Sequence, residues 1–228
     1  MALTKARTGH SDDAFVRSTR PIRLAGSLLG RRRHVCAFFN SRDDEYRVTL
    51  PFIKDGLECG DRAFHLVGSA RQKDHLDRLR AAGIDTLTAR QTGQLEVLDW
   101  AQTYLAGGSF DPDRWLAFVK ETFAARTTDG YPLSRIVAHM EWALEAQVGV
   151  ERLLEYEAKV NRIWPRDGNV AICTYDLARF GAQVIVDIMR THPLIVIGGL
   201  LHENPFYVEP DEFLEELRER EAGSRVAV

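Results

Sequence analysis

The feature that most constrains this chain is a regular switch between two hydrophobic patterns. Short apolar runs that read as buried strands lie at 34–39, 62–67, 95–98, 135–142, 170–175 and 194–197. Between them the apolar residues move to helical spacing. Tyr46, Leu50, Ile53 and Leu57 share one face, with Pro51 inside the pattern and Gly60 after it. Ser69 can cap a helix that runs to Ala82, with Gly83 as its stop. Asp111-Pro112 opens a segment in which Trp115, Val119, Thr122 and Phe123 line up. Leu153, Val160 and Trp164 mark another helix, and 177–190 a further one. Pro210 opens a last helix over 211–221, with Phe213, Leu214 and Leu217 as its stripe. Strands that alternate with helices specify an α/β domain with three layers: a central, mostly parallel sheet with helices on both faces.

Composition narrows the class. The chain has 228 residues, 45% of them hydrophobic, enough for a real core. No apolar run is long enough to span a bilayer, and the first 33 residues hold no signal-peptide core, so no membrane partner is expected. Three cysteines argue against a disulfide framework and for a reducing, cytoplasmic setting. A net charge of −3 gives no global case for nucleic acid. Charge is nevertheless uneven. Residues 1–33 carry eight Lys or Arg, including Arg17, Arg20, Arg23 and Arg31 to Arg33, against two Asp. Residues 203–221 carry eight Asp or Glu against two Arg. The expected organisation is a basic leader at 1–30, one domain at 31–221 and a tail at 222–228.

In open α/β sheets ligands sit outside the carboxyl ends of the strands. The first strand–turn–helix is where a phosphate loop would lie. Such a loop needs Gly-rich backbone, a Lys, and a Ser or Thr for magnesium. Here it reads Asn40-Ser41-Arg42-Asp43-Asp44-Glu45, without Gly or Lys, and no Gly-Lys dipeptide occurs in the chain. Three carboxylates near the helix start oppose a triphosphate. A G-x-G-x-x-G fingerprint and a G-x-S-x-G elbow are also missing. His34 and Cys36 share a strand face, and Cys173, His65, His139, His192 and His202 are potential zinc donors. Without C-x-x-C or H-E-x-x-H, core packing is the preferred reading of these residues, and no metal or cofactor is expected. Glu141 is balanced between pocket and salt bridge, and Asp176 leans towards a helix cap. Phe38, Phe39, Tyr46, Trp142, Tyr175, Phe206 and Tyr207 gather near the strand ends, which suits a small, mostly apolar ligand.

Several motifs carry a family resemblance. They are His34-Val-Cys-Ala-Phe-Phe39, Glu45-Tyr46, Leu50-Pro-Phe-Ile-Lys-Asp-Gly-Leu57 and Gly60-Asp-Arg-Ala63, then Gly93-Gln-Leu-Glu96. Further on come Arg135, His139-Met-Glu-Trp142, Ala171-Ile-Cys-Thr-Tyr-Asp176, Thr191-His-Pro193, Gly198-Gly199 and Asn204-Pro-Phe-Tyr207. Together they resemble the MEDS domain, the methanogen/methylotroph, DcmR-type sensory domain, over roughly residues 30–220. The resemblance implies a RecA/KaiC-like fold that has lost its phosphate loop. It also implies a non-enzymatic sensor of small molecules, hydrocarbon derivatives among them, coupled to a histidine kinase or a transcription regulator. No stretch before residue 30 or after 221 reads as an output module, so output is expected from a partner, from oligomerisation, or from a longer protein of which this chain is a piece. The competing readings are a degenerate nucleotide-binding ATPase and a partner-interaction module that pairs segment 17–33 with helix 211–221. The expected ligand contacts are His34, Cys36, Phe38, Glu45, His139, Glu141, Trp142, Tyr175, Asp176, His192 and Asn204. In that reading His34 and Glu45 orient the ligand, and Phe38, Trp142 and Tyr175 form apolar walls.

Overall fold

The computed structural model describes residues 20–105, 109–128, 130–144, 149–163 and 169–226, without the side chains of 122–128 and 224–226. Arg17, Trp164 and the side chains of Thr122 and Phe123, all used in the sequence reading, lie outside this set.

A hairpin of β1 (Arg23–Leu24) and β2 (Ser27–Leu28) precedes the main sheet. Then follow β3 (His34–Phe39), α1 (Arg42–Glu58), β4 (Arg62–Leu66), α2 (Ser69–Ala81), α3 (Thr86–Gln91) and β5 (Leu95–Leu98). The second half runs α4 (Pro112–Thr128), β6 (Ser134–His139), α5 (Val150–Ile163), β7 (Val170–Asp176), α6 (Ala182–Arg190), β8 (Leu194–Ile197), β9 (Leu200–Glu203) and α7 (Pro210–Val226). The sheet order is β5-β4-β6-β7-β3-β8-β9. All neighbours pair in parallel except β8 with β9. Every residue of β3 and β6 is buried, as central strands covered on both faces require.

Strand periodicity gives the sheet two different faces. Cys36, Phe38, Ala171, Cys173 and Tyr175 pack with α4 to α7, where Trp115, Leu153, Tyr156, Ile188 and Phe213 supply the core. Val35, Ala37, Phe39, Val170 and Ile172 pack with Phe52 and Ile53 of α1, Leu79 of α2 and Ala89 of α3. The α1 start follows the expected chemistry: Ser41 caps it by accepting from the Asp44 amide at 3.2 Å, and three acids occupy its first turn.

Five expectations change. Ser69 is the first residue of α2 rather than its cap, and Gly68 stands at the cap position without a side-chain bond. The run 135–142 is strand only to His139, and Met140–Leu144 form a 3-10 turn. Burial on all sides kept that turn apolar, so its pattern mimics a strand. The helix expected over 177–190 starts at Ala182, after a turn headed by Asp176. The final helix extends over Pro210–Val226 rather than 211–221. The described part of the basic leader belongs to the fold: Ile22 and Leu24 are buried against α1's core, and Arg20 reaches Asp61 at 2.7 Å. Arg32 of the same stretch meets Glu209 near the acidic helix at 3.6 Å, so the two charge blocks touch within one chain.

Candidate functional site

Two buried polar clusters and one cavity hold most of the chemistry, and they lie on different faces of the sheet. The first cluster fills the rim where a phosphate loop would sit. Glu45, in the first turn of α1, faces inward and meets Arg71 of α2 at 3.4 Å and His139 Nε2 at 3.1 Å. Arg71 also pairs closely with Glu141 of the 3-10 turn. The remaining space, between Phe39, Ser41, Arg42, Thr174 and Asp176, is about 10 Å³, room for roughly one water. The other two acids expected to repel an anion point outward: Asp43 pairs with Arg78 and Asp44 with Arg47. A salt-bridge plug, rather than three facing carboxylates, therefore occupies the rim.

Behind the plug runs a hydrogen-bonded line. Tyr46 Oη lies 2.7 Å from His75 Nδ1, and His75 Nε2 lies 2.9 Å from His65 Nδ1. Burial holds His75 down at about 3, helped by the charges of His139 and Arg71. Burial likewise lowers His139 to about 4, with Glu141 opposing and Arg71 and Arg42 reinforcing the shift. Burial raises Glu45 to about 7 against the pull of Arg71. These imidazoles are neutral at pH 7.

The second cluster lies on the opposite face. Glu157 of α5 sits between His34 of β3 and His192 of the α6–β8 turn, with Nε2 to Oε2 distances of 3.3 and 3.4 Å. Cys173 Sγ is 3.6 Å from His34 Nε2, and Tyr175 donates to Glu157 Oε1 at 2.5 Å. Burial alone would raise the Glu157 carboxyl, but the His192 charge and hydrogen bonds from both imidazoles outweigh it and hold Glu157 below the usual carboxylate range. Burial, then the negative Glu157, raises the Cys173 thiol well above its ordinary value.

Beside this cluster, between the sheet and helices α4 and α5, lies a cavity of about 20 Å³. Phe64, Leu66, Ile136, Ala138 and Ala171 form its floor, Trp115, Phe118, Val119, Tyr156 and Val160 its roof, and His34 and Cys173 one wall. Trp115 Nε1 donates to Tyr156 Oη at 2.9 Å, so those polar tips are satisfied within the wall.

The eleven expected contacts therefore do not form one pocket. His34, Tyr175 and His192 join the second cluster, while Glu45, His139 and Glu141 join the first. His34 and Glu45 stand on opposite faces and cannot orient one ligand together. Phe38 packs on Tyr175 with ring centres 5.6 Å apart. Trp142 is fully buried and stacks on Tyr104 at 4.2 Å, within an aromatic group completed by Phe110 and Tyr156. Cys36 donates to the Leu194 carbonyl at 3.7 Å and fills core space. Asp176 accepts from the Ala178 amide at 2.9 Å and so heads a turn. Asn204 donates to the carbonyls of Met189 and His192 and locks the turn that carries His192. Sequence reading passed over Arg71, His75 and Asn161 and noted Glu157 only as one carboxylate among several, since all four sit on amphipathic helices where a polar residue looks solvent-facing.

The comparisons with known proteins agree with this architecture. The chain is 25% identical over 178 residues to the transcriptional repressor DcmR of Methylorubrum extorquens (strain DSM 6343 / CIP 106787 / DM4), covering 78% of this chain and 64% of the repressor. It thus spans a little under two thirds of that relative's length. Among solved structures, PH0321 of Pyrococcus horikoshii, crystallised with an unknown peptide, superposes with a TM-score of 0.55 at 12% identity, covering 72% of this chain and 76% of that one. The KaiC-like protein PH0186 of Pyrococcus horikoshii OT3 gives 0.52 at 14% identity, with 75% and 73% covered. These two likenesses establish a KaiC-like fold. Residues 33–193, well over half the chain, match the family described as MEDS, MEthanogen/methylotroph, DcmR Sensory domain, and the chain belongs to that family of sensory domains.

Proposed function

We propose that this sensory domain binds a small, weakly polar molecule in the cavity between the sheet and helices α4 and α5, and regulates a partner without catalytic turnover. The observation that carries the reading is the lining: aromatic and aliphatic side chains on floor and roof, with His34 and Cys173 as polar handles at one wall. That combination suits a hydrocarbon derivative, whose apolar body gains about 25 cal/mol per Å² buried and whose single polar group needs one partner. The room available without rearrangement is about 20 Å³, so a ligand of one to three carbons has to push α4 or α5 outward, and that displacement is the signal. At the strand ends, where ligands of open sheets usually sit, Arg71 and its two carboxylates occupy the space instead. The same plug counts against the ATPase reading.

The output reading rests on the repressor relative. A family member that represses transcription supports a role in transcription control, through a transcription regulator or histidine kinase as partner, or through a second copy of the chain, in the cytoplasm. The test is a thermal-melt screen of the full chain with one- to three-carbon halides, alcohols and aldehydes, and Mg-ATP as the counter-probe. A ligand at a hundred times its Kd stabilises by about 2.7 kcal/mol, or roughly 5–10 °C in Tm for a chain of this size. A saturable rise with one of the small molecules and none with Mg-ATP is expected. A rise with Mg-ATP alone would replace the sensor by a nucleotide-binding protein.

A further inference from the structure

We infer that His34, Glu157, Cys173 and His192 form a binding site for one divalent transition-metal ion of the zinc type, joining β3, β7, α5 and the α6–β8 turn. This reverses the expectation of core packing for His34, Cys173 and His192, and the ion engages the same His34 and Cys173 that the ligand reading uses as polar handles, so the two sites share a wall. One donor atom from each of the four lies within 4.8 Å of every other, and all four residues are buried. Four of the six donor separations have the size of a shared ion's edges. Zinc bonds of about 2.0–2.1 Å to nitrogen and oxygen and 2.3 Å to sulfur give a tetrahedron with N···O edges near 3.4 Å and S···N edges near 3.6 Å. The two N···O edges here are 3.3 and 3.4 Å, and the S···N edge is 3.6 Å. The Cys173 Sγ to Glu157 Oε2 edge is 3.8 Å.

Hydrogen bonds outside the cluster decide which way the donors point. Asn161 gives its amide hydrogens to the carbonyls of Glu157 and Thr191, at 3.2 and 2.6 Å. Its oxygen therefore faces His34 Nδ1 at 3.0 Å, and that nitrogen carries the hydrogen. His192 Nδ1 lies 2.9 Å from the Ile188 carbonyl and must donate as well. Tyr175 engages Glu157 Oε1. Each Nε2, opposite its anchored Nδ1, is therefore aimed at the same carboxylate oxygen, and His192 Nε2 is buried with no hydrogen-bond partner among the described residues. A carboxylate buried between two imidazole nitrogens and a thiol calls for a positive centre at the point they share. A metal ion supplies that centre, and an Nδ1 anchored to a carbonyl is the usual outer support of a metal-bound histidine. On binding, Cys173 releases its thiol proton to solvent and the ion takes the sulfur lone pair.

The test uses the full chain, unfolded and refolded with excess Zn²⁺ or Co²⁺, then desalted. About one ion per chain is expected by elemental analysis. The cobalt form should show a thiolate-to-cobalt charge-transfer band and the intense visible bands of tetrahedral Co²⁺. Cys173→Ser should lose the charge-transfer band, and Cys59→Ser, at an exposed cysteine outside the cluster, should keep it. Asn161→Ala should weaken binding about 10–100-fold through loss of ligand orientation. Refolded, native-like protein that retains no ion would overturn the site. So would a six-coordinate cobalt spectrum, or a charge-transfer band lost with Cys59 rather than Cys173. If Cys173→Ser does not fold, the wild-type cobalt spectrum decides by itself.

Discussion

Replacing Arg71 with Met removes the cation that Glu45 and Glu141 share at the sheet rim. All three side chains are buried, and uncovering a buried charge in this way costs about 3–5 kcal/mol; urea unfolding of Arg71→Met measures it. The neighbouring imidazoles make the same rim sensitive to acid. His75 and His139 titrate near 3 and 4 in the folded chain, below the ordinary 6.5, so their contribution is complete above pH 6.5 and is lost as pH falls through those values. Glu45 acts in the opposite sense. Its folded value of about 7 exceeds the ordinary 4.5, so its contribution is complete below 4.5 and is lost as pH rises through 7. The groups facing this trio are Tyr46, His65, Arg71, Arg42, Glu141 and Asp176. Melting curves from pH 7 to 4 should therefore fall less steeply in His75→Gln and more steeply in Glu45→Gln than in the wild type. Equal slopes in all three would remove these groups as the source. At this scale the sequence was half legible. It pointed to Glu45, Glu141, His139, His34 and His192 as unusual, but not to which faced which. The partners Arg71, Glu157 and Asn161 lie more than twenty residues away from the groups that they serve, and no local spacing encodes such a meeting.

Elements with strong local signals were readable. The cap at Ser41, the acids after it and the apolar run 35–39 of β3 specify their segments without help from the rest of the chain. Short elements were not. The helix α3 has six residues, and β1, β2 and β9 have two to four. Such lengths carry too few residues for a period to emerge. A turn signal for β9 was present in Gly198-Gly199, where φ values of +59° and +79° match the two left-handed positions of a tight hairpin. Another glycine reports on packing between elements. A Cβ at Gly56 of α1 would stand 2.6 Å from Arg135 Cδ. The Arg135 guanidinium is held by Asp61 at 2.8 Å, Asp55 at 2.7 Å and the Phe52 carbonyl at 2.7 Å, so it cannot give way. Gly56→Ala should cost about 1–3 kcal/mol, visible as a lower urea midpoint with an unchanged slope. A neutral result would mean that α1 slides freely over β6.

Over the whole molecule, the two faces of the sheet divide the work. One face, with α1 to α3, carries a charged plug that blocks the rim. The other, with α4 to α7, carries an aromatic core, the cavity and the four convergent donors. The fold class was legible because alternation of strand and helix is a property of the entire chain. The location of the cavity was not, since its walls come from six elements that only the tertiary structure assembles. The central claim is that a small molecule enters between the sheet and helices α4 and α5. Its most direct test is Ala138→Leu, which fills that cavity from the β6 floor, compared with the wild type in ligand-dependent melting and tryptophan fluorescence. The predicted result is a Tm rise and a change in emission with a small halide, alcohol or aldehyde in the wild type, and neither in the folded variant. An undiminished response in Ala138→Leu would contradict the claim.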